Sequence, residues 1–583
     1  MTTPYRLTLA HINDTHSNFD VSRVQFSINI HGQDIDVHTH SGGYARISYH
    51  VERAREHAAA NQHNFLFLHG GDSFQGTLYF REFKGTANAH LLNLLKPDAM
   101  VLGNHEIDAG NAPVLAFLDR IDFPLLAGNM DLSQESQTKA SKLSGHGKLL
   151  DYDHLSGTAK VLLKPLGDKT LAIVGITLDQ MKAIARPDPD THFIDAIETT
   201  RRTVKQLKVE GIHHIVVLSH LGLDQDRELA EKVDGISLIV GGHSHTLQGD
   251  FKALGLSHIP YGETVNGTPI LHAGKYAETL GLAEIAFNAK GQVTQLDGNN
   301  YFMLDHQFVL KTASGTDSSS YTEVKKYLEQ HAGILWDQEN ALISQTIADH
   351  YRPAIDALAH QVLAFMPRQL IHTRLPSKAL PHGSEIAPWV SRSMYHCAKA
   401  DDLAVDFALH NAGGVRQSLA QGNLTLADVV GRILPFDLPL VKYQIHGCYL
   451  YQAIESAINA ATNNSVTGTG AGSFPYCYGL RYFYDGRQPL GARIIKLEVL
   501  RADKWLLVEH QEAYIGVSTA YTAAGKEGYH PLLQMQWQKT LDNLTLPQAF
   551  IQFVQHGGLE ENAFNQDLTP HVHYISHHSG LGQ

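Results

Sequence analysis

The chain reads as an α/β protein, and three observations predict that class. Short apolar runs recur through the first half, each ending in Gly, Asn, Asp or His. Helix-length stretches separate several of those runs. A Ser/Thr/Gly/Asp cluster at 312–320 then marks a boundary beyond which a second set of such elements begins.

In chain order, the strand-like runs are residues 7–12, 65–68, 99–102, 124–126, 171–174, 214–218 and 238–240, with helical stretches at 45–60 and 193–210. Residues 25–42, with Gly32 and Gly43 around polar Asp34 to His40, are expected to form an inserted hairpin. Residues 131–160, rich in Ser, Lys and Gly, are expected as an exposed loop. These give a first domain over 1–311, followed by a linker and amphipathic helix over 312–345. A second α/β domain spans 346–568, with helix-like 352–365 and 450–461 and strand-like 402–409 and 492–500. The tail, 569–583, holds His571, His573, His577 and His578; a frayed end is the preferred reading over a metal site.

Composition narrows the function classes. Of 583 residues, 43 % are hydrophobic and 18 % charged, ordinary for a globular protein with filled cores. A net charge of −13 argues against a nucleic-acid polymer or an anionic membrane as partner, while leaving a small anionic substrate open. Cys397, Cys448 and Cys477 lack CxxC spacing, so neither a disulfide framework nor a thiolate metal site is expected. The opening residues run straight into a strand with no basic or apolar leader. A cytoplasmic location is therefore expected, with a periplasmic or extracellular one if a leader has been removed. No run of 18 apolar residues occurs, so no membrane span is expected. Nothing fixes the oligomeric state.

The stretch Met100-Val101-Leu102-Gly103-Asn104-His105-Glu106-Ile107-Asp108 organises the chemistry. A buried strand ends at Gly103, which lets the backbone turn and deliver Asn104 and His105 at the carboxyl end, where open α/β sheets place ligands. Asn104 offers a neutral oxygen to a cation, and His105 an imidazole to a developing oxyanion or leaving group. Asp108, three residues on, is in reach of that imidazole to fix its tautomer. The plain alternative is a strand-turn-helix junction with a surface histidine.

Four other strand ends carry similar groups. Asp14 and His16 close the first strand; two apart in extended chain, they project to one side. Asp72 follows Gly70-Gly71, His220 follows Leu218-Ser219, and His243 and His245 follow Gly241-Gly242. Each alone fits a turn or surface residue. Together with Asn104 they are seven N/O ligands with one carboxylate to share, as two cations about 3.5–4 Å apart require. Mixed imidazole and carboxylate ligation without thiolate favours Zn, Mn, Fe or Co over Ca.

These motifs, Asp14-x-His16, Gly70-Gly71-Asp72, Gly103-Asn104-His105-Glu106 and Gly241-Gly242-His243-Ser244-His245, resemble the calcineurin-like metallophosphoesterase signature. In detail the chain resembles the 5′-nucleotidase and UDP-sugar hydrolase family, to which Gly42-Gly43-Tyr44-Ala45-Arg46 and Gly267-Thr268-Pro269-Ile270 are also similar. The resemblance implies an N-terminal four-layer α/β/β/α sandwich and a C-terminal α/β nucleotide-binding domain that turns about the linker. It implies two divalent metal ions, Zn or Mn foremost: one on Asp14, His16, Asp72 and His245, the other on Asp72, Asn104, His220 and His243. It further implies attack by a metal-bound water or hydroxide on a nucleoside 5′-monophosphate, with His105 and Asp108 as the catalytic pair. The enzymatic alternatives are a 2′,3′-cyclic nucleotide phosphodiesterase/3′-nucleotidase and a UDP-sugar or dinucleotide pyrophosphohydrolase. A nucleotide-binding protein without chemistry is the non-enzymatic one.

In the second half, Asn411-Ala412-Gly413-Gly414-Val415-Arg416 combines glycines that free the backbone to approach a ligand with a planar cation suited to phosphate. The resemblance makes Phe436 and Tyr521 a base-stacking pair, adds Asn411, Gly414 and Arg416, and sets Glu527 on the ribose. Two departures stand out. Gly525-Lys526-Glu527-Gly528 replaces the family's usual Gly-Gly-Asp-Gly, and Pro381-His382-Gly383-Ser384-Glu385 is atypical, leaving open whether Lys378 or Arg374 meets phosphate.

Overall fold

The computed structural model describes residues 5–577, except 257, 313–314, 317–319, 400–404, 437, 467–469 and 562–569. The chain divides into two compact units, Met1–Pro353 and Ala354–Gln583.

The first unit is built on two sheets. In the larger, Tyr5–Ile12, Asn64–His69, Ala99–Val101 and Leu125–Leu126 run parallel side by side. In the smaller, Lys169–Thr177, His214–His220, Leu238–Val240 and Thr268–Leu271 do the same. Leu7, Leu9, Leu66, Leu68 and Val101 of one sheet pack against Ile173, Val216, Leu218, Leu238 and Val240 of the other in one buried core. The helices Ala196–Val209 and Leu223–Lys232 cover the far face of the smaller sheet through Val204, Leu207, Leu229 and Ala230. The helix Tyr44–Ala60 packs on the larger. This is the expected α/β/β/α order. Strands buried on both faces must be apolar throughout, which is why they read as continuous runs.

The hairpin expected at 25–42 is present as Ser22–Ile30 and Gln33–Ser41. Helix Tyr321–Glu329 and strand Ile334–Trp336 follow, the latter pairing with Val293–Leu304.

The second unit holds a five-stranded sheet in the order Pro475–Tyr478, Phe407–Asn411, Ala513–Thr519, Pro439–His446, Trp537–Thr545. A four-stranded sheet includes Leu480–Asp485 and Val572–Ile575. Among the described residues no helix is long and apolar enough to cross a membrane.

Three expectations need correction. Residues 131–160 are not simply an exposed loop: the Glu135 carboxylate is buried and accepts the N–H groups of Leu143 and Ser144 and the amide of Asn111. The helix expected over 352–365 stops at Ala359, and Val362–Met366 is a strand. The tail is not frayed where described. Val572–Ile575 pairs in parallel with Leu480–Asp485, His571 is buried, and the His573 ring stacks on Phe483 at 4.2 Å between centroids. Imidazoles packed on aromatic rings read as polar in sequence, which hid the strand. His578 and residues 402–404 of the expected strand lie outside the described residues.

Candidate metal centre

Because the strands that carry the candidate ligands run parallel within each sheet, their carboxyl ends share one rim. Asp14, His16 and His245 form one group whose ligand atoms all lie within 4.8 Å of one another. Asp72, His220 and His243 form a second, and His16, Asp72 and His105 a third. Asn104 Oδ1 completes the second, 3.0 Å from His243 Nδ1 and 3.3 Å from His220 Nε2. All seven side chains expected as ligands thus converge.

Their backbone is not what spacing suggested. Asp14 and His16 are not extended but left-handed, with φ of 50° and 48°; Asp72, His243 and His245 follow at 55°, 75° and 56°. Non-glycine residues held there cost on the order of 1–3 kcal/mol each, and such strain collects at functional sites. The backbone turns directly after Gly103, as expected. The glycine also serves close approach, since a Cβ on it would stand 2.1 Å from Asp72 Oδ1.

The donor set fits divalent cations. Asp14 Oδ1 is buried without a hydrogen-bond partner, while Oδ2 accepts from the His243 N–H at 2.8 Å and from Asn13 Nδ2 at 2.7 Å. His16 Nε2 and His245 Nε2 face one another at 3.0 Å, two imidazole nitrogens aimed at one point. Burial pushes the His16 imidazole down to about 4, the His105 charge adding to it. Burial with the His220 charge does the same for His243, to about 4. Both therefore present lone pairs at ordinary pH. For His220 burial opposes the charge, but Asp72 outweighs it and lifts the group to about 9, a proton standing where a cation would. Its other nitrogen is fixed by the Gly70 carbonyl at 2.7 Å, the outer contact that orients a metal-binding imidazole.

His105 is held by Asp108, Nδ1 to Oδ2 at 2.6 Å, leaving Nε2 on the side of Asp72 at 4.0 Å. Burial lowers its basicity, but Asp72 and then Asp108 outweigh burial and raise it to about 10. Both carboxylates thus favour the protonated form of the His105 ring.

In the second unit, Asn411 Nδ2 donates to Glu527 Oε2 at 3.1 Å, and Thr522 Oγ1 to Asn411 Oδ1 at 3.4 Å. The Arg416 guanidinium lies 5.7 Å from the Phe436 ring centroid. Burial raises the Glu527 carboxyl, opposed by Asn411, Arg374, Tyr521 and Arg416 in turn. Tyr521, half-buried, is pushed up to about 12 by burial and by Glu527. Gly414 is required by close packing, a Cβ there falling 2.2 Å from the buried His410 ring. Asn411, Arg416, Phe436, Tyr521 and Glu527 therefore belong to one neighbourhood, which Arg374 joins.

Comparison with known proteins agrees with this division. Residues 7–247 match the calcineurin-like phosphoesterase family, and residues 373–534 match the 5′-nucleotidase C-terminal domain. A probable 5′-nucleotidase of Treponema pallidum is 31 % identical over 554 residues, covering 91 % of this chain and 88 % of that one. The chain belongs to the 5′-nucleotidase family. An NAD 5′-nucleotidase of Haemophilus influenzae is 30 % identical, over 90 % of this chain and 85 % of that one. The crystal structure of a 5′-nucleotidase precursor from Thermus thermophilus superposes with a TM-score of 0.68 at 27 % identity, covering 95 % of this chain and 96 % of that one. The chain is accordingly a metallophosphoesterase, a hydrolase of phosphoric esters of a family that works with divalent metal ions.

Sequence reasoning missed the groups that hold the ligands. Glu106, in the central motif, is buried, and its carboxylate accepts four backbone N–H groups: Asp72 at 3.0 Å, Ser73 at 2.7 Å, Phe74 at 3.0 Å and Gly103 at 2.9 Å. Asn13 likewise bridges Asp14 to the Gly274 carbonyl, at 2.8 Å. A polar residue next to a candidate site residue, just past the end of an apolar strand, is the one signal that marked either.

Proposed function

We propose that this chain removes phosphate from nucleoside 5′-monophosphates at a centre of two divalent cations. One cation would be held by Asp14, His16, Asp72 and His245, the other by Asp72, Asn104, His220 and His243. Zn or Mn suits these ligands best, and Fe or Co is compatible. Such a pair supplies Lewis acidity to the phosphoryl oxygens and acidifies water, as two-metal phosphatases require. The observation that carries the reading is a pair of adjoining donor groups, Asp14, His16 and His245 beside Asp72, His220 and His243, with the Asp72 carboxylate also in reach of His16, which supports Asp72 as the shared ligand.

The protein's own groups would do the rest. Asp108 holds the His105 ring through Nδ1, so Nε2 is left to donate its proton to the departing ester oxygen or stabilise charge on the phosphoryl group. The left-handed Asp14, His16, Asp72, His243 and His245 arrive with geometry already set, so little reorganisation is needed. In the second unit, Phe436 and Tyr521 would stack on the base, Asn411 and Glu527 would bind base or ribose edges, and the Gly414 backbone and Arg416 would face the ligand. Arg374, whose charge acts on Glu527 ahead of that of Arg416, supports Arg374 over Lys378 as the second cation.

The test is phosphate release from AMP, UMP, 3′-AMP, 2′,3′-cyclic AMP and bis-p-nitrophenyl phosphate with Mn²⁺ or Zn²⁺, against Asn104→Ala. Release from 5′-monophosphates that this variant loses supports the reading; turnover confined to 3′ or cyclic substrates sinks it.

A second reading has its own observation. A cavity of about 480 Å³ opens beside His245, bordered by Arg23 and Lys275 over a floor with Phe26, Leu256 and Phe302. It offers room for a group beyond the phosphate, so a pyrophosphate-linked substrate such as NAD or UDP-glucose belongs in the same assay.

A further inference from the structure

Asp226 lies on the helix Leu223–Lys232, outside every motif, and is fully buried. A buried carboxylate is costly unless its oxygens are partnered. Both are. Ser219 Oγ donates to Oδ1 at 2.5 Å, and His272 Nε2 donates to Oδ2 at 2.8 Å.

The partners are placed tellingly. Ser219 immediately precedes His220 within the strand His214–His220, and His272 immediately follows the strand Thr268–Leu271. Leu238–Val240 runs between those two strands and continues into Gly241, whose N–H donates to the Leu271 carbonyl at 2.9 Å. A Cβ on Gly241 would stand 2.2 Å from Asp226 Oδ2 and 2.4 Å from His272 Nε2. The Asp226–His272 pair is therefore the floor on which the Gly241-Gly242 turn rests before it delivers His243. His272 is itself immobilised, its N–H donating to Gln248 Oε1 at 2.9 Å and its carbonyl accepting from Asn300 Nδ2 at 2.7 Å.

We propose that Asp226 is a positioning residue of the metal centre. One carboxylate ties the strand end carrying His220 to the floor beneath His243, and so fixes the distance at which both imidazoles meet one cation. A ligand site must hold its groups to within about 0.5 Å, and partners behind the ligands typically govern roughly 10–100-fold of metal affinity. The inference rests on the ligand assignment proposed above.

The experiment is calorimetric titration of the chelator-stripped full chain with Mn²⁺, beside thermal unfolding of the same stripped protein. Asp226→Asn is expected to weaken one of two binding steps about 10–100-fold while the metal-free unfolding temperature changes little. Ser219→Ala should move the same step in the same direction. His272→Leu, which removes the donor, should weaken binding, and His272→Gln, which keeps one, should restore it. Asp224→Asn, on the same helix but 94 % exposed, should bind as wild type does. Should Asp226→Asn fail to fold, Ser219→Ala and the His272 pair decide the matter. Wild-type affinity in these variants, with only a lowered unfolding temperature, overturns the proposal and leaves Asp226 a stabiliser of the fold. Absence of Mn²⁺ binding by the wild type overturns the ligand assignment, and this inference with it.

Discussion

Glu106 and Asp72 brace one another across the centre. The Glu106 carboxylate accepts the Asp72 N–H at 3.0 Å, while the Asp72 carboxylate accepts the N–H of His105, the neighbour of Glu106, at 2.9 Å. Two loops are thereby locked in a fixed offset, with the Asp72 carboxylate, Asn104 and His105 all set by it. Replacing Glu106 by Gln keeps the shape but turns an amide N–H₂ toward backbone donors. Leaving buried N–H groups unpaired costs roughly 1–3 kcal/mol. Denaturant unfolding of Glu106→Gln should show a loss of that size, with phosphate release falling more than tenfold; unchanged values of both would contradict the brace.

His105 and Asp108 should separate chemistry from metal binding. His105→Ala is expected to lower kcat by about 10²–10⁴-fold while Mn²⁺ affinity stays near wild type, because His105 is outside the proposed ligand set. Asp108→Asn should cost less. By removing a charge that raises the imidazole, it should also move the alkaline limb of the kcat profile to lower pH. Equal loss of metal binding in His105→Ala would reassign that residue.

Substrate recognition in the second unit should be separable from hydrolysis. Arg374→Ala and Glu527→Gln are expected to raise KM for AMP at least tenfold while leaving turnover of bis-p-nitrophenyl phosphate, which has no nucleoside, close to wild type. Parallel losses on both substrates would remove these residues from nucleoside recognition.

Two buried histidines predict acid sensitivity. Burial, with the His272 charge, pushes His11 from 6.5 down to about 3; burial, with the His372 charge, does the same to His410, whose two ring nitrogens lack partners. The folded state refuses protons that the unfolded chain accepts. Their contribution is thus fully present above pH 6.5 and is lost as pH falls from 6.5 toward 3, by up to about 1.4 kcal/mol per pH unit for each group. His410→Leu should flatten that slope in denaturant midpoints measured from pH 7 to pH 4. An unaltered slope would show that His410 takes up its proton in the folded state.

Removal of metal should act on both function and stability. Stripping with a chelator is expected to abolish phosphate release and lower the unfolding temperature, both restored by Mn²⁺ or Zn²⁺. Each site contributes about 2.7 kcal/mol at one hundred times its Kd. Activity that survives exhaustive chelation would exclude the two-cation centre.

The strands and the side chains gathered at their ends were legible in sequence for a local reason. A parallel strand buried on both faces must be apolar along its length, and the residue after its last apolar position sits at the carboxyl rim. Asp14, His16, Asp72, Asn104, His220, His243 and His245 each follow such a run within a few residues, so residue type and position named them together. The His105–Asp108 contact, three residues apart, was local in the same way.

What the chain alone could not reveal depends on segments far apart in it. Glu106 meets Asp72 from 34 residues away, and Asp226 meets His272 from 46. Gly103 is needed because Asp72 comes to lie against it, and Gly241 because Asp226 and His272 fill the space below. The tail strand Val572–Ile575 exists because Leu480–Asp485 offers it an edge. The sequence determined which side chains stand at the strand ends, because burial in a parallel sheet constrains each strand by itself. Only the packing of the two sheets decided how those ends are braced and at what distances the ligands meet, because a carboxylate can be buried only where distant donors have already been brought to it.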